Sequence, residues 1–259
     1  MATPPTRIES ALGDLRPALI VVVFVIPLAC WLWVIAMARD MYGPMSGASA
    51  WMMTVTWDPP RLLLLWAMWA AMMAGMMLPS ATPMLLLYAR TMRNRASEPH
   101  PARLIYAMAG GYLLVWIGFS LAATALQRVL AELSLLNMMM EAESRTMPAV
   151  ILAIAGLYQA TPLKRACLQA CRSPFRFLTA QWRDGVAGAF RMGINHGNYC
   201  LGCCWALMLI LFAGGVMNLT VILALTVWVA IEKLAPFGEH TARVSGGLLL
   251  ATAAWMLFR

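Results

Sequence analysis

Six stretches of this chain contain no charged residue and approach or exceed the length needed to cross a lipid bilayer. A transmembrane helix needs roughly 20 apolar residues to span about 30 Å of hydrocarbon. The stretches cover residues 17–38, 62–89, 104–127, 146–163, 192–231 and 244–258. Because 62% of the residues are hydrophobic and only 12% are charged, the chain has too little polar surface for a water-soluble protein. The sequence therefore predicts an integral membrane protein.

The number of spans follows from where these stretches are interrupted. The stretch 192–231 is too long for one helix, and GGVMN at 214–218 divides it into two spans joined by a tight turn. The last stretch is short, but Arg243 and Arg259 at its ends can extend toward the interface. We predict an all-α fold, a bundle of about seven transmembrane helices that forms a single integral membrane domain over residues 1–259. The predicted spans are 17–39, 62–89, 104–127, 146–164, 187–214, 218–235 and 241–258.

The distribution of Lys and Arg predicts the orientation of the bundle. Segments before span one and after spans two, four and six hold thirteen basic residues, whereas the alternate segments hold five. Since cytoplasmic segments are enriched in Lys and Arg, the N-terminus is predicted to lie in the cytoplasm. Topology thus explains the net charge of +8, and no motif of a nucleic-acid-binding protein accompanies it. We expect a lipid bilayer around the protein and no nucleic-acid partner.

The sequence MMAGMMLPSATPM in span two places five methionines in one charge-free run. Residues three, four and seven apart share a helix face, so the methionines line one side of the helix. Gly75 permits close approach of another backbone, while Pro79 and Pro83 free carbonyl groups that a neighbouring helix must satisfy. Methionine also fills irregular apolar gaps, so the pattern alone does not establish ligation. The candidate thioether ligands are Met72, Met73, Met76, Met77 and Met84.

The sequence NHGNYCLGCCW in span five carries one imidazole and three thiols within nine residues. At about 100° per residue, all four side chains fall within an arc of about 100°. A histidine in hydrocarbon is costly and normally faces a functional interior. Isolated cysteines in membrane helices commonly serve packing, but four such ligands on one face favour metal or redox chemistry. The candidate ligands are His196, Cys200, Cys203 and Cys204.

The predicted topology places these two motifs at the same depth. Met77 in span two and Cys200 in span five each lie roughly 18–20 Å from the cytoplasmic surface at 1.5 Å per residue. Spans two and five can therefore face each other. Imidazole, thiolate and thioether ligands together select a soft metal ion, with Cu(I) favoured over Zn(II).

A second pair of thiols, Cys167 and Cys171, lies in KRACLQACR at the cytoplasmic end of span four. Their i, i+4 spacing puts both on one helix face next to basic residues. The pair is either a site of metal hand-off or redox chemistry, or simply two reduced cytosolic thiols, and the sequence leaves both open. Cys30 has no ligand neighbour in the sequence, and we interpret it as a packing residue.

Three further polar or glycine features have structural interpretations. Gln159 should face the bundle interior, because an amide facing lipid is unfavourable. Glu232 and Lys233, at the inner end of span six, are interpreted as an interfacial pair. The sequence GGY at 110–112 indicates close helix packing rather than a cofactor-binding turn. No catalytic motif is present, which weighs against an enzyme.

Three of these motifs also indicate a family. MMAGMMLPSATPM, YQATPLKRACLQACRSP and NHGNYCLGCCWALM, followed by GVMN and EKLAP, resemble the signatures of an uncharacterised bacterial family of predicted metal-binding integral membrane proteins. The resemblance covers residues 66–236. It implies a multi-pass protein of the bacterial inner membrane and a metal bound by the cysteines and histidine named above, but it implies no substrate.

The hypothesis that follows is a membrane protein that binds a soft metal ion, copper before zinc, and transports it or delivers it to another protein. One alternative is a membrane thiol-disulfide oxidoreductase that uses Cys203 with Cys204, or Cys167 with Cys171. Another is a structural subunit whose sulfur-rich faces pack against a partner. The sequence does not predict an oligomeric state.

Overall fold

The computed structural model describes residues 17–43, 47, 58–93, 101–137 and 140–258. Within these ranges the chain is helical apart from turns and one isolated bridge between Leu136 and Ala142, which confirms the all-α prediction for them. Part of the predicted orientation depends on residues that lie outside the described ones: Arg7, Arg16, Arg95 and Arg259. The helices are α1 (Ile26–Met41, continuing a π-helical turn at Val21–Val25), α2 (Pro59–Arg93), α3 (Pro101–Glu132), α4 (Thr146–Gln159), α5 (Pro162–Arg172), α6 (Pro174–Gln181), α7 (Gly185–Met208), α8 (Ile210–Gly214), α9 (Leu219–Leu234) and α10 (Gly238–Phe258).

Helix α2 continues through both of its internal prolines, Pro79 and Pro83. Because proline has no N–H, Pro79 leaves the carbonyl of Gly75 without its helical partner. Trp31 of α1 replaces that partner, with its Nε1 donating to the Gly75 oxygen at 3.2 Å. Gly75 also permits the approach, since a Cβ there would lie 3.2 Å from the Cβ of Cys30. The predicted satisfaction of a freed carbonyl by a neighbouring helix is confirmed at Gly75.

Helices α3 and α7 pack with their backbones in contact, and glycines make this possible. A Cβ at Gly111 would lie 2.1 Å from the carbonyl oxygen of Phe190, and one at Gly193 would lie 2.0 Å from that of Met108. Any other residue at either position would separate the helices. Most of the buried apolar side chains belong to α2, α3 and α7. The close packing confirms the interpretation of the GGY sequence and brings Tyr112 against the middle of α7.

The fourth predicted span, 146–164, is broken. Helix α4 ends at Gln159, α5 begins at Pro162, and the two axes differ by 67°. The hydroxyl of Thr161 caps α5 by accepting from the Lys164 N–H at 3.2 Å. Proline at the first helical position loses no hydrogen bond there. Helix α5 consequently turns away from α4 and packs along α7. Cys167 and Cys171, which belong to α5, are thereby brought to α7.

The turn predicted at 214–218 is present between α8 and α9. Gly215 has a φ of 91°, a conformation that strongly favours glycine. Asn218 then begins α9, its side-chain oxygen accepting from the N–H groups of Thr220 at 3.1 Å and Val221 at 3.4 Å.

The described residues contain five helical segments that are long and apolar enough to cross a membrane, or six if the bent pair α4–α5 counts as one span. Helix α9, predicted as the sixth span, has only 16 residues, fewer than the roughly 20 that a full crossing needs. The predicted count of seven spans is therefore not confirmed. The qualifying segments are Pro17–Met41, Pro59–Met92, Pro101–Glu132, Gly185–Gly214 and Gly238–Phe258.

Candidate metal centre

Helix α7 buries the four candidate ligands that the sequence placed on one of its faces. His196 is 5% exposed, and Cys200, Cys203 and Cys204 are each 1% exposed. The thiols of Cys203 and Cys204 both donate to the backbone oxygen of Cys200, at 3.1 and 2.9 Å. These hydrogen bonds fold both side chains back along their own helix. The local 3.6-residue repeat thus gives the predicted common face, and the protein interior encloses it.

Cys200 contacts two polar groups from other helices. Its sulfur lies 3.0 Å from the hydroxyl of Tyr112 in α3. Lys233 of α9 donates to the same sulfur at 2.8 Å and to the hydroxyl of Ser80 in α2 at 3.1 Å. Helices α3 and α9 therefore meet α7 at this one thiol, and α2 is joined to it through Lys233.

The position of Lys233 corrects the interpretation of Glu232 and Lys233 as an interfacial pair. Glu232 is 1% exposed and Lys233 is 7% exposed. Glu232 pairs with the fully buried Lys164 at 2.6 Å and accepts hydrogen bonds from Gln159 at 2.6 Å and Trp228 at 2.9 Å. Gln159 is buried as predicted. Sequence reasoning missed Lys233, because a cation that ends a long apolar run normally extends toward the interface.

Helix α5 adds its two cysteines to those of α7. The Sγ atoms of Cys171 and Cys203 are 3.9 Å apart. Cys167 packs against Gly202, where a Cβ would lie 2.7 Å from the Cys167 sulfur. The pair that the sequence treated separately thus lies beside the cysteines of α7. We call these five residues the thiol cluster: Cys167, Cys171, Cys200, Cys203 and Cys204.

His196 lies one helical turn before the thiols, between two aromatic rings. Its ring centroid is 5.8 Å from that of Tyr112 and 5.5 Å from that of Phe177 in α6. Its Nδ1 atom is buried and has no hydrogen-bond partner among the described residues. A buried polar atom without a partner is unfavourable unless a ligand completes its bonding. This nitrogen suits a metal ion better than it suits packing alone.

Comparison with known proteins gives a family. Residues 66–256, most of the chain, match the PpoB2 family, which is described as a copper chaperone. The chain belongs to this copper chaperone family. No match was found among curated proteins or among solved structures. The matched region contains His196 and the whole thiol cluster, and the family supports the copper that the soft ligand set predicted.

The methionine motif in α2 is connected to the thiol cluster less directly than we predicted from the matching depths of spans two and five. Met72, Met73, Met76, Met77 and Met84 are all buried, with at most 2% of each exposed. However, α2 packs chiefly on α1 and α3 and hardly touches α7. Tyr112 connects them, because its hydroxyl donates to the Met77 carbonyl at 3.0 Å and contacts the Cys200 sulfur. Met77 and Cys200 thus contact the same hydroxyl, whereas their common depth in a bilayer and a role for the thioethers as ligands remain predictions.

The described side chains do not form a ready-made coordination shell. In this part of the chain, no three His, Cys, Asp or Glu side chains are grouped as they would be around a bound ion. The thiols of Cys203 and Cys204 are occupied by the Cys200 carbonyl. A side-chain rotation would release each sulfur without moving a helix. The centre can therefore bind a metal ion only through such local rearrangement.

Proposed function

We propose that this protein binds Cu(I) in the thiol cluster and delivers it to another protein. The observation that carries the proposal is the 3.9 Å separation of Cys171 and Cys203 beside the buried Cys200. Metal–thiolate bonds are about 2.3 Å long, so two sulfurs on one ion are at most about 4.6 Å apart. The observed separation falls inside this limit. Soft sulfur ligands select Cu(I) among biological metals, which agrees with the copper chaperone family.

Cys200 and Cys203 are the proposed core ligands, with His196 as the nitrogen ligand. Cys171 is close enough to Cys203 to share an ion with it, and Cys204 becomes available once it leaves the Cys200 carbonyl. Met72, Met73, Met76, Met77 and Met84 provide thioethers one helix away, where copper would pass before or after the cluster. Zn(II) is the less suitable ion, because these methionines are poor zinc ligands.

We propose a location in the bacterial inner membrane, with several helices in contact with lipid. Large apolar side chains are exposed on the outer sides of the helices, among them Leu28 (60%), Leu121 (56%) and Leu248 (60%). Exposed apolar surface of this extent is unfavourable in water and suits a bilayer. The partner that donates or accepts the copper would then reach the cluster from one membrane surface, and the basic segments favour a cytoplasmic N-terminus.

A thiol-disulfide oxidoreductase is the second candidate, favoured by the same sulfur pair. Cys171 and Cys203 need to approach by only about 2 Å to reach the 2.05 Å bond of a disulfide. Oxidation would then join α5 to α7. The two proposals differ in the state of the thiols, since copper binding requires all of them reduced.

The deciding experiment is elemental analysis of protein purified anaerobically with Cu(I) supplied. We expect about one copper ion per chain in the wild type, because the sulfurs of Cys171 and Cys203 are close enough to share one ion. The Cys200→Ser/Cys203→Ser double variant should lose it, and His196→Ala should hold it more weakly. Cys30→Ser is the matched control, because Cys30 packs against Gly75 rather than the cluster. Wild-type protein that retains no copper with its thiols free would overturn the proposal.

A further inference from the structure

The ammonium group of Lys233 is buried beside the proposed copper ligands, and no carboxylate of the described residues pairs with it. Its described contacts are the sulfur of Cys200 and the hydroxyl of Ser80. The adjacent carboxylate, Glu232, is engaged by Lys164, Gln159, Trp228 and Ser245 instead. A buried cation without a counter-ion is strongly unfavourable. Among the described residues, the thiol cluster is the group in contact with Lys233 that can carry a balancing negative charge.

This fixed cation would lie very close to any metal ion bound there. The ammonium nitrogen is 2.8 Å from the Cys200 sulfur, and a metal–thiolate bond adds about 2.3 Å. The two positive charges would thus be separated by about 5 Å at most. Their repulsion is proportional to the charge of the metal ion. A divalent ion consequently suffers twice the repulsion that a monovalent ion does, whatever the number of thiolates bound.

We propose that Lys233 is a specificity-determining residue that makes the thiol cluster accept a monovalent ion in preference to a divalent one. This inference rests on the proposed function, since it concerns the same site. At an effective dielectric constant of about 20, a charge about 5 Å away changes affinity by about a few hundredfold per unit of metal charge. Softness of the ligands alone favours copper over zinc, and Lys233 adds a preference based on charge.

The test compares Ag(I) with Cd(II), two soft closed-shell ions that bind thiolates and differ in charge. The measurement is the ratio of their dissociation constants in purified, reduced, full-length protein, with Cd–thiolate absorption as the signal. We expect Lys233→Met to shift this ratio toward Cd(II) by about a few hundredfold, because the repulsion is removed. Lys233→Arg is the matched control that keeps the charge, and its ratio should stay near that of the wild type.

A second pair of variants leaves Lys233 in place and guards against misfolding of the first. Ser80→Asp puts a carboxylate beside the ammonium group, because the Ser80 hydroxyl that it replaces lies 3.1 Å from the Lys233 nitrogen. This variant should also shift the ratio toward Cd(II). Ser80→Asn is the neutral control of equal size, and it should leave the ratio unchanged. An unchanged ratio in Lys233→Met or in Ser80→Asp, with both ions bound, would overturn the inference and leave the proposed function standing. Failure of the wild type to bind Ag(I) or Cu(I) would instead overturn the proposed function.

Discussion

The Sγ atoms of Cys171 and Cys203 lie 3.9 Å apart although 32 residues separate them in the chain. The break between α4 and α5 causes this meeting, because α5 turns by 67° and packs along α7. Two motifs that looked independent in the sequence thereby form one sulfur-rich centre.

Mild oxidation should join these two residues first. We expect wild-type protein in detergent to lose two free thiols and to yield a disulfide-linked peptide pair containing Cys171 and Cys203, since their sulfurs need to move by only about 2 Å. Mass spectrometry after digestion under non-reducing conditions measures this. Prior loading with Cu(I) should protect the pair. A first disulfide between Cys203 and Cys204 would contradict the prediction, and Cys30 should stay free throughout.

Removing the Tyr112 hydroxyl should destabilise the protein. Tyr112→Phe removes one hydrogen bond to the Met77 carbonyl, which still accepts from Ser80, and one contact with the Cys200 sulfur, which still accepts from Lys233. We expect the free energy of unfolding to fall by about 0.5–1.5 kcal/mol. Thermal unfolding in detergent measures the change. Tyr106→Phe is the control on the same helix, because Tyr106 is 44% exposed. Equal melting temperatures for the two variants would show that the bridge contributes nothing to stability.

The contact between α3 and α7 should not tolerate a single methyl group. In Gly193→Ala the new Cβ would lie 2.0 Å from the carbonyl oxygen of Met108, so the helices must separate. We expect loss of folded protein, or a destabilisation of about 3 kcal/mol or more, as for severe overpacking. Gly118→Ala in α3 is the control, since no atom lies within 4 Å of its new Cβ. Size-exclusion chromatography and thermal unfolding compare them, and a stable Gly193→Ala protein would refute this account of the packing.

The buried pair of Lys164 and Glu232 should be sensitive to loss of one partner. In the native protein the Lys164 nitrogen lies 2.6 Å from the Glu232 carboxylate. Glu232→Gln leaves this ammonium group buried without its carboxylate, and we expect the free energy of unfolding to fall by about 3–5 kcal/mol. Adding Lys164→Met should recover part of this, because it removes the unpaired charge.

The matched control for that pair is Glu132→Gln, which breaks the half-exposed contact of Arg128 with Glu132. An exposed ion pair contributes only about 0–1 kcal/mol, because water solvates both charges. Denaturation in detergent compares the three variants. A Glu232→Gln protein as stable as the Glu132→Gln protein would show that the buried pair is dispensable.

Several features of the fold were predictable because they depend on short stretches of sequence. Apolar composition predicted long helices, and helical periodicity placed His196, Cys200, Cys203 and Cys204 on one face. Gly111 and Pro79 predicted a close helix contact and a freed carbonyl. The extent of individual spans was predicted less well, because Thr161 and Pro162 end one helix and begin another within a stretch whose hydropathy barely changes.

The sequence by itself determined which chemical groups are available and which of them share a helix, since both follow from residue identity and a local repeat. Only the tertiary structure decided that Lys233 points at Cys200 rather than pairing with Glu232, and that Tyr112 links α2 to α7. Those contacts join residues 33 and 88 positions apart. The Tyr112 contact depends on how closely the glycines of α3 and α7 let these helices approach, and the meeting of Cys171 with Cys203 depends on the angle at which α5 leaves α4. A helical repeat carries no information about either quantity.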